Sequence, residues 1–198
     1  MKKTDILQAL HPVVQAFEQL GIPYYIGGSV ASSLYGMARA TMDIDMVADL
    51  KKEQATRLKT ILKDEYYIDE EMILEAIANT SSFNLIHFDT AFKIDVFIQQ
   101  RAPYPQMALE RRVKDKLDDE HDFEYYFSTP EDSIIAKLQW FERGNRVSER
   151  QWLDILGIIK VQADRLDLTY LTAWTKKLDL FALLKTAFQE AGVAFESE

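Results

Sequence analysis

Cysteine is absent from the 198 residues of the chain. Its absence excludes disulfide bonds, thiolate zinc sites and cysteine nucleophiles, and it is compatible with a reducing cytoplasm. No apolar run approaches the roughly 18 to 20 residues that a membrane helix needs. The first residues, MKKTDILQALHPVV, contain two lysines, but polar residues interrupt the apolar positions behind them. That pattern argues against a signal peptide, and we therefore expect a cytoplasmic protein.

Positive charge is scarce as well. The chain has 23 Lys and Arg against 32 Asp and Glu, which gives a formal net charge of −9. Such a surface repels nucleic acid on average, because binding to the phosphate backbone depends on clustered Lys and Arg. Arg143, Arg146 and Arg150 lie close together, but acidic neighbours dilute them. Their pattern is compatible with a local function or with a solvated surface.

Sequence periodicity changes near residue 128. Before that point helical and strand patterns alternate, and two apolar segments around Asp89 and Thr90 predict a β-hairpin. The predicted helices there cover 4–20, 29–36, 51–64 and 70–78, and the predicted strands cover 24–26, 42–48, 82–88, 91–98 and 122–127. Beyond that point STPED is a strong helix start, and helices are predicted over 130–143, 148–161, 168–178 and 180–191. Residues 108–117 are ambiguous.

These patterns predict an α/β domain over residues 1–127 and a helical region over residues 128–198. The connection near residue 128 is too short to be a flexible linker. We therefore expect the helical region to pack on the α/β domain.

Two aspartates, Asp43 and Asp45, occupy alternate positions of the predicted strand MDIDMVA. Alternate strand residues point to the same face, with Cα atoms roughly 6 to 7 Å apart. Two carboxylates so close repel each other unless they are solvated, protonated or bridged by a cation. Magnesium favours such oxygen ligands, although a solvated acidic strand would show the same pattern.

A third aspartate, Asp95, lies in the middle of the apolar strand FKIDVFI. A carboxylate in such a strand is costly to bury unless it is paired or bound to a metal. Asp95 would otherwise face solvent or pair with Lys93, which lies two residues earlier on the same face. If the two aspartate-bearing strands are neighbours, all three carboxylates meet at one place.

A glycine pair precedes the aspartates, between a predicted strand and a predicted helix. Gly27 and Gly28 let the backbone approach a ligand closely, and the helix N-terminus that follows favours phosphate. Ser29 adds a hydroxyl, and Arg39 would balance phosphate charge or pair with an aspartate. A simple turn is the alternative, because neither a Walker P-loop nor a G-x-G-x-x-G motif is present.

Two charged residues interrupt the later apolar helices. Lys137 lies in IIAKLQWF and Asp154 lies in RQWLDILGII. Lys137 would extend its ammonium to the surface along an apolar stem, serve a site, or form a buried pair with Asp154.

In combination, IGGSVASSLYGMARATMDIDMV and KIDVFI resemble the nucleotidyltransferase fold of the DNA polymerase beta superfamily. That superfamily has an apolar residue, Gly and Gly or Ser, then a helix, then D-x-D, then a third carboxylate on a later strand. The Gly-Gly, the R-x-T-x-D-I-D and the segment PEDSIIAKLQWFERGNRVSERQWLDI are most similar to AbiEii-type nucleotidyltransferase-like proteins. These motifs cover residues 24–47, 92–98 and 129–155.

The resemblance implies a mixed β-sheet flanked by helices and a site for Mg²⁺ or Mn²⁺. It implies that the metal is held by Asp43, Asp45 and Asp95, and that nucleotide is held by Gly27, Gly28, Ser29, Arg39, Thr41, Lys137 and Asp154. Proteins that add CCA to tRNA usually carry Arg-Asp soon after the glycines, where this chain has Ala31-Ser32. That departure argues against tRNA tail synthesis.

The expected function is magnesium-dependent transfer of a nucleoside monophosphate from a nucleoside triphosphate to an acceptor hydroxyl. The acceptor is open and would be a small molecule, a tRNA or a protein. One alternative is a catalytically silent nucleotide-binding or interaction protein, such as a toxin–antitoxin component. Another is an antibiotic nucleotidyltransferase, because an acidic surface suits a cationic aminoglycoside.

Overall fold

A computed structural model of the protein describes residues 3–38, 40–117 and 122–195. Contacts among these residues divide them into two units. The first unit contains residues 3–27, 40–117 and 122–127, and the second contains residues 28–38 and 128–195. This grouping differs from the predicted division, because residues 28–38 join the helical unit although they precede residue 127.

One mixed seven-stranded sheet organises the first unit. Its strands are β1 Tyr24–Ile26, β2 Asp43–Ala48, β3 Tyr66–Tyr67, β4 Ser82–His87, β5 Lys93–Ile98, β6 Val113–Asp115 and β7 Tyr125–Phe127. Their order across the sheet is β3-β4-β5-β2-β1-β7-β6. The pairs β2–β5 and β1–β7 are parallel and the other neighbours are antiparallel. The predicted α/β class and mixed sheet are thereby confirmed.

Helices belong to both units. The first unit contains α1 Lys3–Gln19, α3 Ala55–Leu62, α4 Glu70–Asn79 and α5 Pro103–Arg111, and the second contains α2 Gly28–Tyr35, α6 Pro130–Arg143, α7 Glu149–Gln162, α8 Leu168–Lys177 and α9 Phe181–Ala191. Short 3₁₀ turns at Lys52–Gln54 and Ala163–Arg165 precede α3 and follow α7. Among these described helices, none combines the length and apolarity that crossing a membrane requires.

The start of α6 follows the sequence signal at STPED. The Thr129 hydroxyl accepts a hydrogen bond from the backbone N–H of Asp132, and Pro130 is the first helical residue. A cap of this kind satisfies one of the N–H groups that lack an intrahelical partner. The predicted helix start is therefore confirmed.

Three elements, β3, α5 and β6, were not predicted. β3 has only two residues, too few to show alternation, and its Tyr66 hydroxyl donates to the backbone oxygen of Ala9 in α1. α5 begins at Pro103, a usual first helical residue, so its start signal was present. The ambiguous segment 108–117 contains the end of α5 and the whole of β6.

The second unit includes α2 because this helix packs closely against α7. A Cβ added at Gly36, directly after α2, would lie 2.9 Å from the backbone nitrogen of Ile158. Real Cβ atoms essentially never approach backbone so closely, so glycine is required here by the neighbouring helix. The Tyr35 backbone oxygen also accepts a hydrogen bond from Gln162 of α7.

Gln99, directly after β5, is a buried polar residue whose replacement is expected to stabilise the protein. Its side chain is 4% exposed, and neither Nε2 nor Oε1 has a hydrogen-bond partner within the described part of the chain. Because a buried unpaired polar group costs about 1 to 3 kcal/mol, Gln99→Met should raise the free energy of unfolding by about 1 to 2 kcal/mol. Urea unfolding measures the change.

Its neighbour Gln100 supplies the control for this prediction, because Gln100 is exposed. Gln100→Met should change the free energy of unfolding by less than about 0.5 kcal/mol. A loss of stability in Gln99→Met would contradict the prediction and would indicate that the carboxamide is hydrogen-bonded in solution.

Candidate active site

The three aspartates lie on two neighbouring parallel strands. Asp45 of β2 is in register with Asp95 of β5, and Asp43 is in register with Lys93. Residues in register share a face of the sheet, and so do alternate residues of one strand. The prediction of a shared site required that these two strands be neighbours. The structure meets that condition. Asp43, Asp45 and Asp95 are called the aspartate triad below.

The opposite face of these strands is core. Ile44, Met46, Ile94 and Val96 alternate with the acidic positions and are all 0% exposed. A slip of one residue would move these side chains out of the core and the aspartates into it. The core therefore fixes the register that brings Asp45 beside Asp95.

Lys93 lies within the electric field of the triad. Its Nζ is 2.6 Å from Oδ2 of Asp95, and the two side chains are 41% and 22% exposed. The hydrogen bond to Asp95 raises the pKa of Lys93, and the charges of Asp95, Asp43 and Asp45 raise it further, while burial opposes them. Pairing with Lys93, one of the alternatives for Asp95, is thus the arrangement in this structure.

In that arrangement, the residues that the structure describes contain no cluster of three or more acidic or histidine side chains positioned to hold a metal ion. The chemistry of the donor set nevertheless fits one, because three carboxylates are the oxygen ligands that Mg²⁺ and Mn²⁺ prefer. A cationic group, the Lys93 ammonium, already lies where the three negative charges act together. The chemistry of the triad therefore fits a divalent cation, while in this structure Asp95 contacts Lys93.

The first glycine of the pair lies beside Asp45. Gly27 follows the registered pair Ile26 and Met46, and its N–H donates to the backbone oxygen of Asp45 at 2.9 Å. Among the described residues outside its immediate chain neighbours, a Cβ added at Gly27 would meet Tyr25 Cε2, at an ordinary contact distance of 3.7 Å. The described residues therefore leave room for a methyl-sized group at Gly27, beside Asp45.

The second glycine has a different requirement. Gly28 is the first residue of α2 and has a φ of 54°, in the left-handed region that favours glycine. Ser29 is the second residue of this helix. The chain thus passes from β1 through Gly27 directly into a helix N-terminus, as predicted.

Sequence reasoning missed Asn84. This residue of β4 is in register with Asp95, so it shares the face of the triad. It can both donate and accept beside Asp95. The signal was available, because a hairpin loop at Asp89 and Thr90 pairs residue 84 with residue 95 by simple counting.

Two other predicted nucleotide ligands precede β2. Arg39 lies outside the described residues. The Thr41 hydroxyl donates to the backbone oxygen of Asp43 at 3.1 Å and accepts from its N–H at 3.4 Å. In this structure Thr41 therefore fixes the backbone at the start of β2.

Lys137 and Asp154 form a buried ion pair in the second unit. Lys137 Nζ lies 2.9 Å from Asp154 Oδ2 and 3.1 Å from Gln151 Oε1, and the side chains of the pair are 5% and 8% exposed. The alternative of a lysine that extends to the surface is wrong. The pair joins α6 to α7, and a role in nucleotide binding stays a prediction.

The acidic residues of STPED are also structural partners. Asp132 accepts hydrogen bonds from the Tyr170 hydroxyl at 2.6 Å and the Thr129 hydroxyl at 2.9 Å. Glu131 accepts from the backbone N–H of Asp167 at 3.0 Å. These bonds tie the start of α6 to the start of α8.

The chain has the fold of solved nucleotidyltransferase-like structures. An antigenic nucleotidyltransferase-like protein from Paracoccidioides brasiliensis matches with a TM-score of 0.56 and 20% identity, over 94% of this chain and 91% of that one. The antibiotic-resistance factor ANT(2'')-Ia matches with a TM-score of 0.54 and 17% identity, over 96% of both chains. Its complex with adenylyl-2''-tobramycin gives 0.55 and 13%, over 92% of this chain and 98% of that one.

These similarities show a common fold at low sequence identity. No protein-family model and no curated protein sequence matches the chain. The fold predicted from the sequence is confirmed, while its assignment to a narrower family stays a prediction.

Proposed function

We propose that the protein is a divalent-metal-dependent nucleotidyltransferase, which transfers a nucleoside monophosphate from a nucleoside triphosphate to an acceptor hydroxyl. One observation carries the proposal: Asp45 and Asp95 are in register on neighbouring strands, and Gly27, directly after β1, donates its N–H to the backbone oxygen of Asp45. This arrangement combines a glycine backbone with two carboxylates. That combination suits phosphate and its counter-ions.

In the proposed reaction the acceptor oxygen attacks the α-phosphorus. The bond from that phosphorus to the oxygen bridging to the β-phosphate breaks, and pyrophosphate leaves. Asp43, Asp45 and Asp95 would hold Mg²⁺ or Mn²⁺, which when bound neutralises phosphate charge and stabilises the attacking and leaving oxygens. Asp95 would also accept the proton of the acceptor hydroxyl, after releasing Lys93.

Phosphate binding is proposed for the segment that follows β1. Gly27, Gly28 and Ser29 would hold the triphosphate at the start of α2, and Arg39 would balance its charge. Thr41 would contribute by fixing the backbone of Asp43.

Lys137 and Asp154 have a different proposed role. Their mutual burial favours a structural pair over direct contact with nucleotide. The proposal includes a relationship of the chain to AbiEii-type proteins. It also includes a cytoplasmic location.

Antibiotic modification is the second candidate function. The chain carries a net charge of −9, which suits a cationic acceptor. The protein ANT(2'')-Ia, whose fold this chain shares, has been determined in complex with adenylyl-2''-tobramycin. A catalytically silent nucleotide-binding protein is the remaining alternative, against which the presence of all three aspartates argues.

Labelled nucleoside triphosphates test the proposal. The protein would be incubated with each triphosphate, Mg²⁺ or Mn²⁺, and either a cell extract or a panel of aminoglycosides, beside Asp45→Asn. Label transfer by the wild type alone supports the enzyme, and the arm in which it occurs identifies the acceptor class. Tight nucleotide binding without transfer would favour the silent protein, and no nucleotide binding would overturn both.

Gly27→Ala is predicted to weaken nucleotide binding without unfolding the protein. The added Cβ has room, and Gly27 is not among the glycines with positive φ, so the free energy of unfolding should change by less than about 0.5 kcal/mol. The methyl group would occupy the open position beside Asp45 and weaken nucleotide affinity by about tenfold or more. Calorimetric titration with a non-hydrolysable triphosphate measures the affinity.

Gly36→Ala is the contrasting variant, because its Cβ would collide with the backbone of α7. It should lower the free energy of unfolding by about 1 to 3 kcal/mol. Unchanged nucleotide affinity in a stable Gly27→Ala protein would show that phosphate does not approach Gly27.

A further inference from the structure

A lysine ammonium lies among the carboxylates that would bind the proposed metal, and it already occupies one oxygen of Asp95. The Lys93 ammonium is 2.6 Å from Asp95 Oδ2. Lys93 is also in register with Asp43 across β2 and β5, so its side chain starts on the face of the triad. The positive charge of this ammonium repels a divalent cation that approaches the same carboxylate.

We propose that Lys93 is a built-in competitor of the metal: its ammonium holds Asp95 while the triad is free of divalent cations, and a bound cation displaces it. The inference rests on the proposed function, because it concerns the same carboxylates. It goes further in assigning a role to a residue that is neither a metal ligand nor a nucleotide ligand in that function.

The first support is electrostatic. Three carboxylates on one face repel one another unless a cation lies among them. All three act on the Lys93 ammonium, and its charge offsets part of their repulsion. The lysine therefore holds the Asp95 side chain in place when no metal is present.

The second support is that the Lys93 ammonium can leave Asp95 easily. The Lys93 side chain is 41% exposed and Asp95 is 22% exposed, so water screens their pair and limits its strength. A lysine has a flexible four-carbon stem and a strongly hydrated ammonium. Lys93 can therefore move into solvent while the buried residues on either side of Asp95, Ile94 and Val96, stay in the core.

A competitor of this kind has a measurable consequence. A metal that binds the triad has to overcome the repulsion of the Lys93 ammonium, which stays nearby after it leaves Asp95. Removing that charge should tighten metal binding, and Coulomb's law at a separation of a few ångströms in a water-like medium makes the effect about tenfold. A lysine remote from the triad would not change the affinity of the nucleotide-free protein in this direction.

The test measures Mn²⁺ binding to the full chain without nucleotide, by electron paramagnetic resonance of the free ion at fixed pH and ionic strength. Lys93→Met removes the charge and keeps a similar stem, and it should bind Mn²⁺ about tenfold more tightly than the wild type. Lys93→Arg keeps the charge and should stay within about threefold of the wild type. In the Asp95→Asn background, Lys93→Met should have a smaller effect because its partner carboxylate is gone.

Two controls separate this effect from a change in net charge and from unfolding. Lys63→Met changes the net charge equally at an exposed lysine that ends α3, and it should leave Mn²⁺ affinity unchanged. Thermal unfolding establishes that each variant is folded, and Lys93→Gln serves if Lys93→Met is not.

The outcomes distinguish this inference from the function on which it rests. Absence of Mn²⁺ binding in both the wild type and Lys93→Met would overturn the metal site of the proposed function. Binding to the wild type with equal or weaker binding to Lys93→Met would overturn the competitor and leave the proposed function standing. Tighter binding by Lys93→Met and also by Lys63→Met would assign the effect to net charge and overturn the role of Lys93.

Discussion

Replacing Lys137 with methionine is expected to lower the free energy of unfolding by about 3 to 5 kcal/mol. The reason is the charge left behind: Asp154 is 8% exposed and would lose an ammonium 2.9 Å away. Gln151 also accepts a hydrogen bond from Lys137 and would lose it. Urea unfolding near neutral pH, followed by circular dichroism, measures the change.

The double variant Lys137→Met/Asp154→Leu should recover most of that loss. Well-packed apolar residues in place of a buried ion pair are often neutral or stabilising, because neither charge then has to be desolvated. A cycle with the single variants gives the coupling free energy of the pair. If the double variant is as unstable as the sum of the single variants, the two charges do not depend on each other as the structure indicates.

The surface pair of Arg146 and Glu142 provides the matched control. It also joins charged groups at 2.7 Å, but its side chains are 60% and 42% exposed. Solvent and salt screen such pairs, so Arg146→Ala should cause no measurable change in stability. The difference between the two pairs would therefore reflect burial rather than hydrogen-bond length.

The same double variant tests whether Lys137 and Asp154 touch the nucleotide. A purely structural pair predicts a folded double variant with the nucleotide affinity of the wild type. A stable double variant that loses nucleotide affinity would restore the direct role that the family resemblance implies. Calorimetric titration with a non-hydrolysable triphosphate distinguishes the two results.

Much of the fold could be predicted because its signals are local. The alternation around Asp89 and Thr90 predicted the hairpin of β4 and β5, and the STPED cap predicted α6 from its first residue. Local signals fail where an element is very short, as in β3. They also fail where a distant part of the chain determines which residue fits. Gly36 is required because α7, more than 100 residues away in the chain, leaves no room for a side chain.

The triad depends on a contact that no local pattern specifies. Asp45 and Asp95 are in register only because β2 and β5 are neighbours, and loop-closing contacts across such a separation leave no periodicity in the sequence. The family resemblance supplied that adjacency. The pairing of Lys93 with Asp95, by contrast, follows from spacing along one strand and was available from the sequence as an alternative.

Asp45→Asn is expected to reduce nucleotidyl transfer by about a thousandfold or more while the protein remains folded. In the proposed site the Asp45 carboxylate binds the metal that neutralises the triphosphate, and such charge stabilisation contributes several kcal/mol to the transition state. The uncharged amide is a much weaker ligand for Mg²⁺. Stability should not fall, because the substitution removes one of three carboxylates that repel one another on a half-exposed face.

Single-turnover transfer of labelled nucleotide, together with thermal unfolding, measures both parts of this prediction. Asp64→Asn is the matched control, since Asp64 is an exposed aspartate in the turn before β3 and should keep wild-type transfer. Asp95→Asn should lose transfer to a similar extent, because Asp95 is both a proposed metal ligand and the proposed proton acceptor. Full transfer by a folded Asp45→Asn protein would show that the reaction does not take place at Gly27, Asp45 and Asp95.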